Sequence, residues 1–168
     1  MDTPFKDERK LTYMNAEGAD KPLRSPVPDS VVKAARRYRL SRIRKLLRDS
    51  DCAAALLYDP VTIRYALDCS NMQVWTLHNP MRYALIFAEG PAVMFEFKGC
   101  EHLCQGLETI DELRVATTWM YMTAGDQVAP RVQRWAGEIA DLMREHAGGN
   151  RRLACDRLEL PGLHALTG

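Results

Sequence analysis

No run in this chain approaches the roughly 18 consecutive apolar residues that a membrane-crossing helix needs. The N-terminus, "MDTPFKDERKLTY", mixes acids with bases and has no apolar centre, so it reads as neither a signal nor a transit peptide. The compartment this leaves is the cytoplasm. An excess of one charge is also missing. The 23 Lys and Arg against 22 Asp and Glu give a net charge of +1, without the basic surplus of a dedicated nucleic-acid binder. Neither a nucleic acid nor a membrane is expected as a partner. A disulfide framework is absent as well. The five cysteines (Cys52, Cys69, Cys100, Cys104, Cys155) are odd in number and scattered through apolar surroundings, which is reduced-compartment usage. Cys52 and Cys155 fall in strand patterns and read as small buried hydrophobes. "CEHLC" (100–104) is the cluster with metal-like spacing, but no second ligand pair accompanies it, and a partly buried helical turn is the expected account.

Catalytic signatures are lacking too: there is no GxGxxG, GxxxxGK[ST], HExxH or GxSxG. The four histidines (His78, His102, His146, His164) are widely spaced. His146 lies on the apolar stripe of a helix, where it suits a helix C-terminus. Asp59 and Asp68 bracket one short helix. No carboxylate pair is placed for acid–base work, so no catalytic residue and no metal ligand is assigned within the chain.

What is present is enough for one domain of 168 residues. Residues 1–28 form a polar, proline-dotted arm. Asp29 or Ser30 can cap a helix reaching about Ser50, with Val32, Ala35, Leu40, Ile43 and Leu47 at helical spacing. Arg36, Arg37, Arg39, Arg42, Arg44, Lys45 and Arg48 cover its other face, which reads as a solvated face or a subunit contact. "CAAALLY" (52–58) has the pattern of a strand buried on both faces. Asp59 and Pro60 open a helix. "RYALIFA" and "AVMFEFK" around "EGP" make a hairpin, and "LRVATTW" (113–119) is a fourth strand. Asp126 caps a helix ending at Gly148-Gly149-Asn150. "RRLACDRL" is a fifth strand, and "LPGLHALTG" begins another helix. The order α-β-α-β-β-β-α-β-(α) implies an α/β domain with a mixed sheet and helices on both faces, incomplete at its C-terminal end. Leu158, Leu160 and Leu163 would then expose apolar surface and favour self-association.

One stretch carries more polar chemistry than a connector needs. "NMQVWTLHNPMRYALIF" (71–87) packs Asn71, Gln73, Trp75, His78, Asn79 and Arg82 into twelve residues. In a binding reading, Arg82 pairs bidentately with a carboxylate, Trp75 and His78 wall a pocket, and Asn71, Gln73 or Asn79 orient the ligand. In a structural reading, the same stretch is a long loop whose amides satisfy backbone groups while Trp75 packs on the core or a partner. Residue types alone leave both open.

"LLYDPVTIRYALDCSNMQVW" resembles the N-I-R-Y-L-T-G signature of the N-terminal domain shared by creatinase, prolidase and aminopeptidase P, the pita-bread metalloenzymes. "YDPVTIRYALDCSNMQVWTLHNPMRYALI", with "GGNRRLACDRLELPGLHAL", is similar to the dimethylsulfoniopropionate lyases of that family. The resemblance implies a three-layer, creatinase N-terminal-like domain over 29–168. It also implies a parent whose two divalent metal ions are bound by Asp, Asp, His, Glu and Glu in a catalytic domain this chain lacks. The chain would then be a non-catalytic fragment or half of a split protein, forming a homodimer with its full-length form. Loop 71–82 would reach the partner's pocket for a small carboxylate-bearing substrate. Trp75, His78, Asn79 and Arg82 are its candidate contacts, and Arg82 falls at or one residue from the family's substrate-carboxylate arginine. Lysis of dimethylsulfoniopropionate to acrylate and dimethyl sulfide is the expected parent reaction. Xaa-Pro peptide or creatinase-type hydrolysis, or a stand-alone α/β binding module, are the alternatives.

Overall fold

The computed structural model describes residues 27–168, the side chains of Gln73 and Val74 excepted. All but the last two positions of the expected N-terminal arm lie outside the described residues. The chain divides after Val32 into two units. Of the first, only the start of helix α1 (Asp29–Asp49) is described, where the Pro28 carbonyl accepts from Val31 N and Val32 N. Asp29 is therefore the first helical residue.

The second unit, Lys33–Gly168, holds a five-stranded sheet. In chain order its elements are β1 (Ala54–Leu57), α2 (Pro60–Leu67), α3 (Gln73–His78), β2 (Tyr83–Phe87) and β3 (Ala92–Glu96). A 3₁₀ turn (Glu101–Cys104), β4 (Glu112–Val115), the single turn α4 (Tyr121–Ala124), α5 (Val128–His146), β5 (Leu153–Cys155) and α6 (Leu160–Thr167) follow. The sheet order is β4-β3-β2-β1-β5. β2 is antiparallel to both β1 and β3, while β1–β5 and β3–β4 are parallel. This is the expected mixed α/β sheet.

Side-chain alternation sorts the strands onto two faces. Ala55, Leu57, Ala84, Ile86, Ala92 and Met94 join Leu40 and Leu47 of α1 and Ile63 and Leu67 of α2. Ala54, Leu56, Tyr83, Leu85, Phe87, Val93 and Phe95 join Val132, Trp135, Ile139 and Leu142 of α5. Both faces are covered, which is why the central strands read as continuous apolar runs. The second face is rich in aromatics: Tyr83 stacks on Phe95 at 4.4 Å, and Trp119 lies 5.4 Å from Trp135.

The helix boundaries have local causes. Asp59 accepts from Val61 N and Thr62 N, both at 2.9 Å, with Pro60 at the first helical position. Asp68 ends α2 in the left-handed region, at φ 59°. Gly148 and Gly149 take φ of 59° and 92° to turn the chain out of α5, a conformation that costs glycine little. The expected cap at Asp126 is not formed. Asp126 sits in a 3₁₀ turn, Gly125–Gln127, its carboxylate accepts from Gln127 Nε2, and α5 begins two residues later without a side-chain cap. Cys155 also departs from expectation, being exposed on β5, which among the described residues has a strand neighbour on one side only. Leu160 and Leu163 are exposed as expected, whereas Leu158 packs onto the core.

The basic face of α1 meets acids of its own chain. Arg36 bonds Asp68 at 2.8 Å and Glu108 at 3.1 Å, Arg48 bonds Glu89 at 3.0 Å, and Arg44 lies 3.7 Å from Asp111. No helix among the described residues is long and apolar enough to cross a membrane.

Replacing the cap, Asp59→Ala, should lower unfolding free energy by about 1 kcal/mol in urea titrations. Asp59→Asn, which keeps the acceptor, should sit near wild type. An equal loss for both would mean that the cap is not what starts α2.

Candidate functional site

The polar stretch 71–82 folds as two layers. Its outer layer is α3, a short helix where the sequence suggested a loop. Trp75 is 38% exposed on this helix, and one side of its ring rests against Phe97, 5.5 Å away. His78 is exposed and Asn79 half-buried. Asn79 closes the helix, its Nδ2 donating 2.9 Å to the Trp75 carbonyl. Arg157 donates to the Leu77 carbonyl at 2.5 Å, placing a cation at the helix C-terminus, where it is favoured.

The inner layer lies beneath. Arg82 is 1% exposed and Glu96 fully buried. The β2–β3 register pairs Tyr83 with Phe95, so one step further sets Arg82 opposite Glu96. Arg82 Nη2 and Nε donate to Glu96 Oε2 at 2.8 and 3.0 Å. Glu96 Oε1 also accepts from Asn71 Nδ2 at 3.0 Å and Phe97 N at 2.9 Å. Arg82 Nη2 reaches Cys69 Sγ at 2.8 Å, and Cys69 Sγ lies 2.9 Å from Cys104 Sγ. Arg82 Nη1 has no hydrogen-bond partner among the described residues.

The four residues singled out from sequence are thus not brought onto one surface. Trp75, His78 and Asn79 belong to α3 and its end. Arg82 is held inside by Glu96, and its guanidinium does not face open space in this arrangement. Asn71 likewise turns inward, its Oδ1 accepting from Met72 N at 2.8 Å. Sequence reading missed Glu96, Cys69 and Cys104. The hairpin offered a signal for the first: residues 82 and 96 are equidistant from Glu89 in the turn, so a symmetric register opposes them.

The inner layer has its own electrostatics. The hydrogen bond with Cys104 and the Arg82 charge hold the Cys69 thiol below its ordinary value, despite burial. The bond to Cys69, with burial, pushes the Cys104 thiol well up. Among the described residues, Cys69, Glu96 and Cys104 are the one group of three potential metal ligands. The guanidinium already placed against two of them occupies a cation's position, and two thiols with one carboxylate do not suit a paired oxygen-ligand centre.

This arrangement of a mixed sheet with helices on both faces defines the class: it is the fold of the N-terminal domain of creatinase and prolidase enzymes. The N-terminal domain of an Xaa-Pro dipeptidase from Lactobacillus brevis matches with a TM-score of 0.52 and 13% identity, over 76% of this chain and 84% of that one. The creatinase/prolidase N-terminal domain of an X-Pro dipeptidase from Streptococcus pyogenes matches with a TM-score of 0.50 and 14% identity, over 77% and 85%. At such identities the likeness speaks for the fold. In sequence, the chain is 36% identical over 140 residues to the dimethylsulfoniopropionate lyase DddP of Roseovarius nubinhibens, covering 83% of this chain and 31% of the relative. It is 38% identical over 143 residues to the DddP of Roseobacter denitrificans, covering 85% and 32%. It thus spans about a third of the length of these curated relatives. No family model matches. The chain thus has the fold of a creatinase/prolidase N-terminal domain, and its sequence is similar to about a third of the length of two dimethylsulfoniopropionate lyases.

Asn71→Ala leaves Glu96 its guanidinium and should cost about 1–2 kcal/mol of unfolding free energy. Glu96→Gln leaves the buried Arg82 charge uncompensated and should cost about 3 kcal/mol or more. Urea titrations that found the two equal would place Glu96 at the surface instead.

Proposed function

We propose that this domain is a non-catalytic partner to a metal-dependent pita-bread domain, and that the parent enzyme cleaves dimethylsulfoniopropionate to acrylate and dimethyl sulfide. The observation that carries this reading is the identity of 36–38% to two such lyases over more than four-fifths of the chain. In this reading the domain forms homodimer contacts, and the outer layer of 71–82 borders the substrate pocket of a partner subunit. Trp75 would meet the sulfonium, because the face of an indole attracts an onium cation. His78 and Asn79 would edge the same pocket. Arg82 would act from beneath, fixing the end of β2 behind α3, while the substrate carboxylate would be met by groups outside this chain's described residues. Two divalent ions would be held by the remaining part of the parent and would polarise substrate oxygens or activate water there.

A second reading, an Xaa-Pro dipeptidase parent, is favoured by the fold matches, both of which are domains of such enzymes. Substrate chemistry separates the two. The full-length enzyme carrying this domain should release dimethyl sulfide and leave Xaa-Pro dipeptides intact; the reverse would favour the peptidase. The purified 168-residue chain should turn over neither substrate with added divalent metal, and turnover by it would contradict a non-catalytic role. In the full-length lyase, Trp75→Ala should raise KM roughly tenfold with little change in kcat or Tm. An unchanged KM would remove α3 from the pocket.

A further inference from the structure

Buried beneath α3 is a pair of thiols that the proposed reaction does not use. Cys69 follows directly on the left-handed end of α2, and Cys104 closes the 3₁₀ turn between β3 and β4. They are 35 residues apart in sequence, yet their sulfurs stand 2.9 Å apart, about 1 Å from the length of a disulfide bond. Cys69 is fully buried and Cys104 3% exposed. Two further contacts separate the pair from ordinary packed cysteines. Arg82 Nη2 donates to Cys69 Sγ at 2.8 Å, a charge-assisted contact that favours the thiolate, the nucleophilic form of cysteine. Cys104 Sγ keeps a weak contact with Glu96 Oε2 at 3.6 Å, on the far side of the same ion pair.

We propose that Cys69 and Cys104 are a redox pair that a hydroperoxide closes into a disulfide, tying the segment leading into α3 to the turn after β3. The Cys69 thiolate attacks one peroxide oxygen. The O–O bond breaks, the departing oxygen leaves as water after taking up a proton, and Cys69 becomes a sulfenic acid. Cys104 then attacks the Cys69 sulfur, the S–O bond breaks, and a second water leaves with the Cys104 proton. Two thiols and one hydrogen peroxide thus give one disulfide and two waters, with two electrons passing from sulfur to oxygen. The lowered Cys69 thiol and the raised Cys104 thiol suit attacking and resolving roles in that order. A peroxide is close to water in size and needs only a small opening. The neighbouring turn supplies a shallow cover, since Glu101 is half-buried and His102 and Leu103 are exposed. A metal ion is disfavoured as the purpose of the cluster, because Arg82 already contacts both Cys69 and Glu96.

The test is peroxide treatment of the 168-residue chain carrying Cys52→Ser, Cys100→Ser and Cys155→Ser. After denaturing alkylation and cleavage at Lys and Arg, mass spectrometry should find peptide 65–82 joined to peptide 99–114. The joined species should be lighter by two hydrogens than the reduced pair and should be lost on dithiothreitol treatment. Closing this loop should also raise Tm by about 5 °C or more, reversibly. Should the triple variant fail to fold, the wild-type chain serves, with cleavage after glutamate separating Cys100 from Cys104 at Glu101. Full alkylation of both Cys69 and Cys104 after peroxide would overturn the proposal. So would a Cys100–Cys104 link in the wild type, or a stoichiometric metal ion released by peroxide from the pair.

Discussion

The Arg82–Glu96 ion pair is the constraint around which this domain's polar end is arranged. Two full charges with almost no solvent exposure are tolerable only if each is satisfied by the other and by further hydrogen bonds. Glu96 meets that condition with Asn71, Phe97 N and both donating nitrogens of Arg82. Each added bond recruits another segment: Asn71 brings the entry of α3, and Phe97 is the first residue past β3. Because Trp75 rests on Phe97, the position of the outer aromatic follows from the buried charges beneath it. Backbone pairing alone would hold β2 to β3, but it would not say where α3 lies.

The same logic explains why the two sides of the sheet differ. The side facing α5 is closed by aromatic packing, with Trp135 fully buried among Tyr58, Tyr83 and Trp119. The side facing α1 and α2 is built of smaller residues, and towards the end of β3 it gives way to the ion pair and the two thiols. Surface charge follows the same division. Arg36 and Arg48 of α1 are met by Asp68, Glu108 and Glu89 from connections between elements, so part of the basic face is paired within its own chain. Such exposed pairs add little stability individually.

Much of this was legible in the sequence. Continuous apolar runs named the central strands, Asp59-Pro60 and Gly148-Gly149 marked helix ends, and the "EGP" turn announced the hairpin. What escaped was tertiary. Asp126 looked like a cap, but a 3₁₀ turn carries the chain past it. Cys155 looked buried because its strand is apolar, yet among the described residues that strand has a neighbour on one side only. Arg82 looked like a ligand-binding residue because arginine beside tryptophan and histidine suits a carboxylate. Its partner, Glu96, lies fourteen positions away and is visible only when the hairpin register is carried one step beyond its regular pairs. Cys69 and Cys104 are joined by no register at all, only by the packing of two connections. For the function, the legible part was a likeness to relatives. The site itself divides into an outer face available for contact and an inner lattice that holds it.

That division can be measured directly through a double-mutant cycle on Arg82→Met and Glu96→Leu, followed by urea unfolding of the two single variants and the double. A buried, mutually satisfied pair predicts that each single change costs about 3–5 kcal/mol, while the double costs much less than their sum, because no charge is then left uncompensated. Additive losses, or single losses below about 1 kcal/mol, would mean that Arg82 faces outward and is free to take a ligand, which would contradict the arrangement described above.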